Sequence, residues 1–144
     1  DETFHRVLYE DHEGLKADDK IKQVVLCSGK VFYDLAEERD KRGIDDIQIL
    51  RMEQLYPWPI NSLKEQLGRF PNAKFIWCQE EPANMGAWFF VDRRLEAVLE
   101  EIGHKNTRVR YAGRVAAASP ATGLLKRHNK EQADLVNEAL TIKR

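Results

Sequence analysis

Four short strand-like stretches, the first three largely apolar, each followed by a segment with helical spacing, constrain this chain more than any other feature. The runs are residues 22–27 (Lys-Gln-Val-Val-Leu-Cys), 47–52 (Ile-Gln-Ile-Leu-Arg-Met), 74–78 (Lys-Phe-Ile-Trp-Cys) and 108–112. Consecutive apolar positions mark strands covered on both faces. After the first run, Val31, Phe32, Leu35 and Ala36 recur at helical spacing over 30–42, and Gly43 stands at the stop position. After the second, Tyr56-Pro57-Trp58-Pro59 breaks the pattern. Pro59 suits the first turn of a short helix with Ile60, Leu63, Leu67 and Phe70 on one side. After the third, Leu95, Val98, Leu99 and Ile102 predict a helix that Gly103 ends. The last helix runs to about Leu140. It is capped by Ser119-Pro120 or starts after Gly123, and Leu124, Leu125, His128, Leu135 and Val136 mark its apolar side.

This alternation predicts an α/β fold: a doubly wound, mainly parallel sheet with helices on both faces. A short antiparallel edge strand from the N-terminal arm is compatible with it. Residues 1–20 read as an arm and linker, and 21–144 as the α/β domain. In a parallel sheet every strand-to-helix connection leaves from the carboxyl rim, where the sites of such folds gather. That rim should carry Ser28-Gly29-Lys30, Glu53 to Pro59, Gln79 to Ala87 and Gly113 to Thr122.

Composition narrows the partners. The 144 residues suffice for one domain with a core of its own, and a formal charge of −1 gives no bulk attraction to nucleic acid or an anionic membrane. No apolar run approaches the roughly 20 residues of a membrane span, and no charged-then-apolar start resembles a signal peptide. Cys27 and Cys78 share no CxxC spacing and have no nearby His, so they read as buried free thiols rather than zinc ligands. The start at Asp1 without Met leads us to expect a piece of a larger chain.

The rim offers three candidate chemistries. Ser28-Gly29-Lys30 is like the tail of a P-loop, but Val24 and Val31 stand where the motif needs Gly and Ser or Thr. A plain turn, with Ser28 capping and Gly29 bending, explains it as well. Glu80 and Glu81 end the third run. Neighbours on an extended segment point to opposite sides, so a shared-proton pair is disfavoured, and acid/base work would need a partner from another loop. The alternatives are a structural loop, with a carboxylate on backbone amides and Pro82 and Gly86 shaping the turn, or a docking surface. Met85, Trp88, Phe89 and Phe90 make that surface unusually apolar, and Asn84, Gly86 and, from the neighbouring loop, Trp58 belong to it. Third, Arg108, Arg110, Arg114, Lys126, Arg127 and His128 form the one basic concentration. Arg110, Arg114, Lys126 and Arg127 could hold an anion, either a nucleotide or acyl coenzyme A, or an acidic patch on a neighbouring domain. A solvated basic face paired with local acids is the plainer reading. The fingerprints GxGxxG, HExxH and GxSxG are absent.

Long ordered blocks also carry a resemblance. They are Val25-Leu26-Cys27-Ser28-Gly29-Lys30-Val31 with Tyr33-Asp34-Leu35, and Leu50-Arg51-Met52-Glu53-Gln54-Leu55-Tyr56-Pro57. Trp77-Cys78-Gln79-Glu80-Glu81-Pro82 follows, with Asn84-Met85-Gly86-Ala87-Trp88. Last come Arg110-Tyr111-Ala112-Gly113-Arg114 and Ala118-Ser119-Pro120-Ala121-Thr122-Gly123. From Phe4 to Leu140 the chain resembles the C-terminal end of 2-oxoglutarate dehydrogenase E1 components. The resemblance implies a transketolase-type C-terminal domain. It also implies a parent oxidoreductase, dependent on thiamine diphosphate and magnesium, that decarboxylates 2-oxoglutarate in the citric-acid cycle and passes succinyl to the lipoyl arm of E2. The family's cofactor is held by other domains through a Gly-Asp-Gly motif, which this sequence lacks. No catalytic, cofactor or metal residue is therefore carried over, and the chain alone is expected to be inactive. Its implied partners are the other domains of the same E1 chain, the second E1 subunit and, for the parent, E2. The implied location is bacterial cytoplasm or mitochondrial matrix. The two rival readings are a small regulatory module that binds a nucleotide or acyl coenzyme A, and a free-standing α/β enzyme using Glu80 or Glu81.

Overall fold

The structure is a computed structural model, and it describes residues 7–8, 14–114 and 125–142. Five strands form one sheet: β1 (Val7–Leu8), β2 (Gln23–Cys27), β3 (Ile47–Met52), β4 (Lys74–Pro82) and β5 (Val109–Arg114), in the order β1-β3-β2-β4-β5. β2 to β5 pair in parallel, and β1 runs antiparallel along the edge of β3, with Val7 opposite Met52. The four parallel strands run as the sequence predicts, and the antiparallel edge strand from the arm is one that the prediction tolerates.

The four α-helices among the described residues are α1 (Val31–Lys41), α2 (Ile60–Gly68), α3 (Trp88–Glu101) and α4 (Leu125–Ala139). Strand alternation splits the sheet's side chains into two cores. Val24, Leu26, Leu50, Phe75 and Trp77 pack with Leu63 and Leu67 of α2 and Val91, Leu95 and Leu99 of α3. Val25, Cys27, Ile49, Ile76 and Cys78 pack with Val31 and Leu35 of α1 and Leu135, Val136 and Ala139 of α4. This two-sided burial is why the strands read as continuous apolar runs. Cys27 and Cys78 are in-register neighbours on β2 and β4, both free and buried. Burial pushes the Cys78 thiol up to about 12, with nearby Glu80 adding to the effect.

Gly43 and Gly103 close α1 and α3 at φ of 68° and 74°. In each case the next amide reaches back five residues, Ile44 to Arg39 (3.1 Å) and His104 to Leu99 (2.9 Å), a Schellman ending. Gly29 takes a φ of 78° before α1.

Four local expectations need correction. The helix start at α1 is capped by Lys30 without a side-chain bond, so Ser28 is not its cap. Ile60, expected on the apolar side of α2, is exposed because it opens the helix at the rim. Leu125, expected on the apolar side of α4, is also exposed. The third strand does not stop at Cys78: β4 continues to Pro82, with a register shift against β5 between Cys78 and Pro82. Glu80 and Glu81 are therefore strand residues, and the connecting loop is only 83–87. The proposed helix cap at Ser119-Pro120, Gly123 and Leu124 lie outside the described residues.

Candidate functional site

The chain crosses from one sheet half to the other between β2 and β4, which makes their carboxyl ends the switch point where ligands of such folds bind. Here that position is closed. Lys30, at the start of α1, donates to Glu80 of β4 at 3.2 Å. Gln132 of α4 donates to the same Glu80 Oε2 at 2.9 Å and to Asp34 of α1 at 2.8 Å. Glu80 thus faces α1 and α4. Glu81 is exposed on the other side of the strand, with Oε1 facing Gly86. The two carboxylates share no proton site, and Glu80 is engaged as a structural acceptor.

The loop after β4 is built around one amide. Gln79 is 3% exposed, and its parity puts it on the same side of the strand as Phe75 and Trp77. Its Oε1 accepts from Trp77 Nε1 at 2.9 Å and from the Trp88 amide at 3.0 Å. Its Nε2 donates to the carbonyls of Glu81 (3.1 Å), Pro82 (2.9 Å) and Met85 (2.7 Å). One side chain therefore ties the end of β4, the loop and the first residue of α3 together. Gly86 sits over it at a φ of 67°, where a Cβ would lie 3.1 Å from Glu81 Oε1. Tyr111 of β5 completes the floor. Its hydroxyl donates to Arg114 O at 2.6 Å, and its ring lies 5.2 Å from that of Trp88. Burial pushes the Tyr111 phenol up to about 12, partly opposed by its hydrogen bond with Gln79. In the sequence Gln79 was visible only as part of the rim, and Tyr111 only as part of the fourth strand. Counting strand parity from Trp77 would have placed Gln79 inward.

Of the expected interface residues, Met85 is exposed (39%), while Trp58 and Trp88 are half-buried against the core. Asn84 and Gly86 are exposed. Tyr56 (71%) and Phe89 (67%) are more exposed than any of these. Tyr56 precedes a cis Pro57, and its ring lies 4.6 Å from Phe90.

Arg110 and Arg114, expected to share an anion site, lie four residues apart on β5, roughly 13 Å along the strand. Each has its own acid. Arg110 is 3.3 Å from Glu138 and also donates to Gln23 and to Thr141 O. Arg114 is 9% exposed and donates to Glu131 at 3.0 Å, to Gln132 at 3.3 Å and to the Glu80 carbonyl. His128, part of the basic concentration but not of the four-residue anion set, stands 3.4 Å from Arg114. Lys126 and Arg127 are exposed at the start of α4 and have no ion-pair partner among the described residues. The structure brings Arg114 to Glu80 and α4, not the four cations to one another. The remaining rim segment, 115–122, lies outside the described residues.

No group of three or more His, Cys, Asp or Glu among the described residues could hold a metal ion. No described helix is long and apolar enough to cross a membrane. A shallow groove of about 320 Å³ between α1 and α4 is lined by Asp34, Glu37, Glu38 and Arg42, among others. Glu38 already accepts from Arg42 at 2.8 Å, a contact that lowers its pKa.

Comparison with known proteins gives the family of the chain. The family model described as 2-oxoglutarate dehydrogenase C-terminal matches residues 1–140. The chain is 57% identical over 145 residues to the 2-oxoglutarate dehydrogenase E1 components of Brucella anthropi and Brucella ovis. Those matches cover 96% of this chain and 14% of each relative, so the chain spans about one-seventh of their length. A solved split-gene transketolase, described as an inactive beta4 tetramer, is similar at a TM-score of 0.55 and 17% identity. That likeness covers 92% of this chain and 43% of the other, and it concerns the fold alone. With a family model covering nearly every residue, the chain belongs to the 2-oxoglutarate dehydrogenase C-terminal family.

Proposed function

We propose that this domain is the non-catalytic C-terminal part of a 2-oxoglutarate dehydrogenase E1 chain and that its carboxyl rim docks the rest of that enzyme. The parent would decarboxylate 2-oxoglutarate with thiamine diphosphate and magnesium, then transfer succinyl to the lipoyl group of an E2 partner within the citric-acid cycle. Residues 1–20 would join the domain to what precedes it. The rim loop with Glu80, Glu81, Asn84, Met85, Gly86 and Trp88, beside Trp58, would meet other domains of the same chain and the second E1 subunit. A cytoplasmic or mitochondrial-matrix setting goes with that role.

The observation that carries this reading is how the rim uses its groups. Gln79 binds loop carbonyls and Glu80 binds Lys30 and Gln132, while Met85 and Phe89 remain exposed. Fixed shape with exposed apolar side chains suits docking, whereas for acid/base work Glu80 is already engaged and the exposed Glu81 points to the other side of the strand. The residues present do not fit thiamine diphosphate and its metal: the chain has no Gly-Asp-Gly, and the described residues offer no metal-binding cluster. Lys126 and Arg127, open at the start of α4, suit an acidic patch on a neighbouring domain better than a small phosphate held with Arg110 and Arg114.

The test has two arms. Isothermal calorimetry of the 144-residue chain with thiamine diphosphate and magnesium should show no binding, and no decarboxylation of 2-oxoglutarate should be detected. In the full-length enzyme, Met85→Glu should weaken subunit assembly in sedimentation velocity. Saturable cofactor binding by the domain, or unchanged assembly of the variant, would remove the reading.

A further inference from the structure

Seven of the ten described arginines lie within 4.0 Å of a carboxylate. Arg93, Arg94 and Arg127 have no such partner among the described residues, and the first two are adjacent on α3. Both are exposed. The Arg94 guanidinium lies 3.8 Å above the Phe90 ring, and Nη1 donates to the Phe90 carbonyl at 2.8 Å. That stacking fixes its direction and leaves most of its donors open. Arg93 follows Phe89 by one helical turn, as Arg94 follows Phe90, so the two Phe-Arg rows run side by side. Tyr56 lies against Phe90 with ring centroids 4.6 Å apart, and Trp58 lies behind it at 5.8 Å.

Two exposed aromatic rings beside two cations without counter-charges among the described residues form a surface of the kind that dominates protein interfaces, where aromatic and Arg side chains are enriched. We propose that Tyr56, Phe89, Phe90, Arg93 and Arg94 dock an acidic, apolar-centred face on the remainder of the longer E1 chain. This inference rests on the reading that the domain works inside such a chain. The occupant's chemistry follows from the patch. Two carboxylates would pair with the guanidiniums in bidentate fashion, and an apolar side chain between them would cover Phe89 and Tyr56. The relatives are about seven times longer than this chain, so ample polypeptide exists to supply that face. A bilayer fits less well. Glu96, Glu100 and Glu101 follow on the same helix and would repel an anionic membrane.

The test is covalent footprinting of the native full-length enzyme. Arginine labelling by phenylglyoxal is read at Arg93 and Arg94 against the open Arg108, whose side chain is 88% exposed here. Hydroxyl-radical oxidation of Met85 is read in the same sample. The proposal expects Arg93 and Arg94 to react about tenfold more slowly than Arg108, as desolvated interface centres do. It also expects the Arg93→Lys/Arg94→Lys enzyme to give zero-length carbodiimide cross-links to Asp or Glu peptides outside this domain. Rapid labelling at both arginines with Met85 protected overturns this inference and leaves the rim reading intact. Rapid reaction at all three overturns both. Cross-links confined to this domain, or binding of the wild-type enzyme to anionic vesicles that Arg93→Glu/Arg94→Glu abolishes, also overturn the proposal.

Discussion

The side-chain oxygen of Gln79 accepts the first amide of α3, that of Trp88, at 3.0 Å. A helix start is short of acceptors for its early amides, and the usual remedy is a capping side chain one residue before it. Ala87 stands there and cannot serve. The acceptor comes instead from nine residues upstream, so the position of α3 is slaved to the end of β4.

Gln79→Leu is therefore expected to cost more than a surface hydrogen bond. The change removes five bonds: it orphans the Trp77 indole, the Trp88 amide and the Met85 carbonyl, while the Glu81 and Pro82 carbonyls keep bonds from the Tyr111 hydroxyl and the Met85 amide. Some of these groups will reach water once the loop relaxes, so the loss should be about 3 kcal/mol rather than the sum of all five. Urea unfolding measures this. Hydrogen exchange should show the loss concentrated in 83–91, with β2 and β3 unchanged.

Gly113→Ala should be harmful for a different reason. A Cβ there would lie 2.8 Å from the Gln79 carbonyl and would collide with the Tyr111 hydroxyl. Overpacking against backbone cannot be relieved by a rotamer change, so a loss of about 2–3 kcal/mol is expected. Gly68→Ala is the control, because nothing lies within 4 Å of its Cβ position. That change should stabilise α2 slightly, through helix propensity. Thermal unfolding of the two variants side by side separates crowding from backbone entropy.

The sheet was legible because burial on both faces leaves a continuous apolar run, and Val24 to Cys27 could be little else. The helix stops at Gly43 and Gly103 were legible because only glycine takes that backbone readily. The site was less so. The end of β4 was placed four residues early because Gln79, Glu80 and Glu81 have the composition of a loop, and their tertiary partners, Trp88, Lys30 and Gln132, are 9 to 52 residues away in sequence. In the basic cluster the plainer reading, pairing with local acids, matches the Arg110–Glu138 and Arg114–Glu131 contacts. Proximity in sequence put Arg110 and Arg114 together, but their partners on α4 separate them.

Arg114 should be the main tie between α4 and the sheet at the rim. Its buried guanidinium holds Glu131, Gln132 and the Glu80 carbonyl. Arg114→Met removes the charge that these groups surround. A fully buried pair broken in this way costs about 3–5 kcal/mol. Glu131 is 34% exposed, so water will rescue it, and about 2 kcal/mol is expected. Glu131→Gln should cost less, since its amide oxygen still accepts from Arg114. Exchange protection in the first turns of α4 should fall in Arg114→Met while α3 keeps its own.

The alkaline limb of stability should be steeper than the surface composition suggests. Burial raises the Cys78 thiol from 9.0 to about 12 and the Tyr111 phenol from 10.0 to about 12. Between pH 9 and 12 the unfolded chain releases protons that the folded chain retains. The unfolded state then binds fewer protons, and stability falls as pH rises. Below pH 9 both groups are protonated in both states and contribute no slope. Each group adds up to about 1.4 kcal/mol per pH unit across its own window, and Tyr111, being part-exposed, adds less. Cys78→Ala should flatten the decline above pH 9 at the cost of a small cavity, whereas Tyr111→Phe should flatten it only above pH 10. Urea midpoints of the three proteins at pH 8, 9.5 and 11 would show it. Parallel slopes in the wild type and Cys78→Ala would mean that the thiol meets water in the folded state.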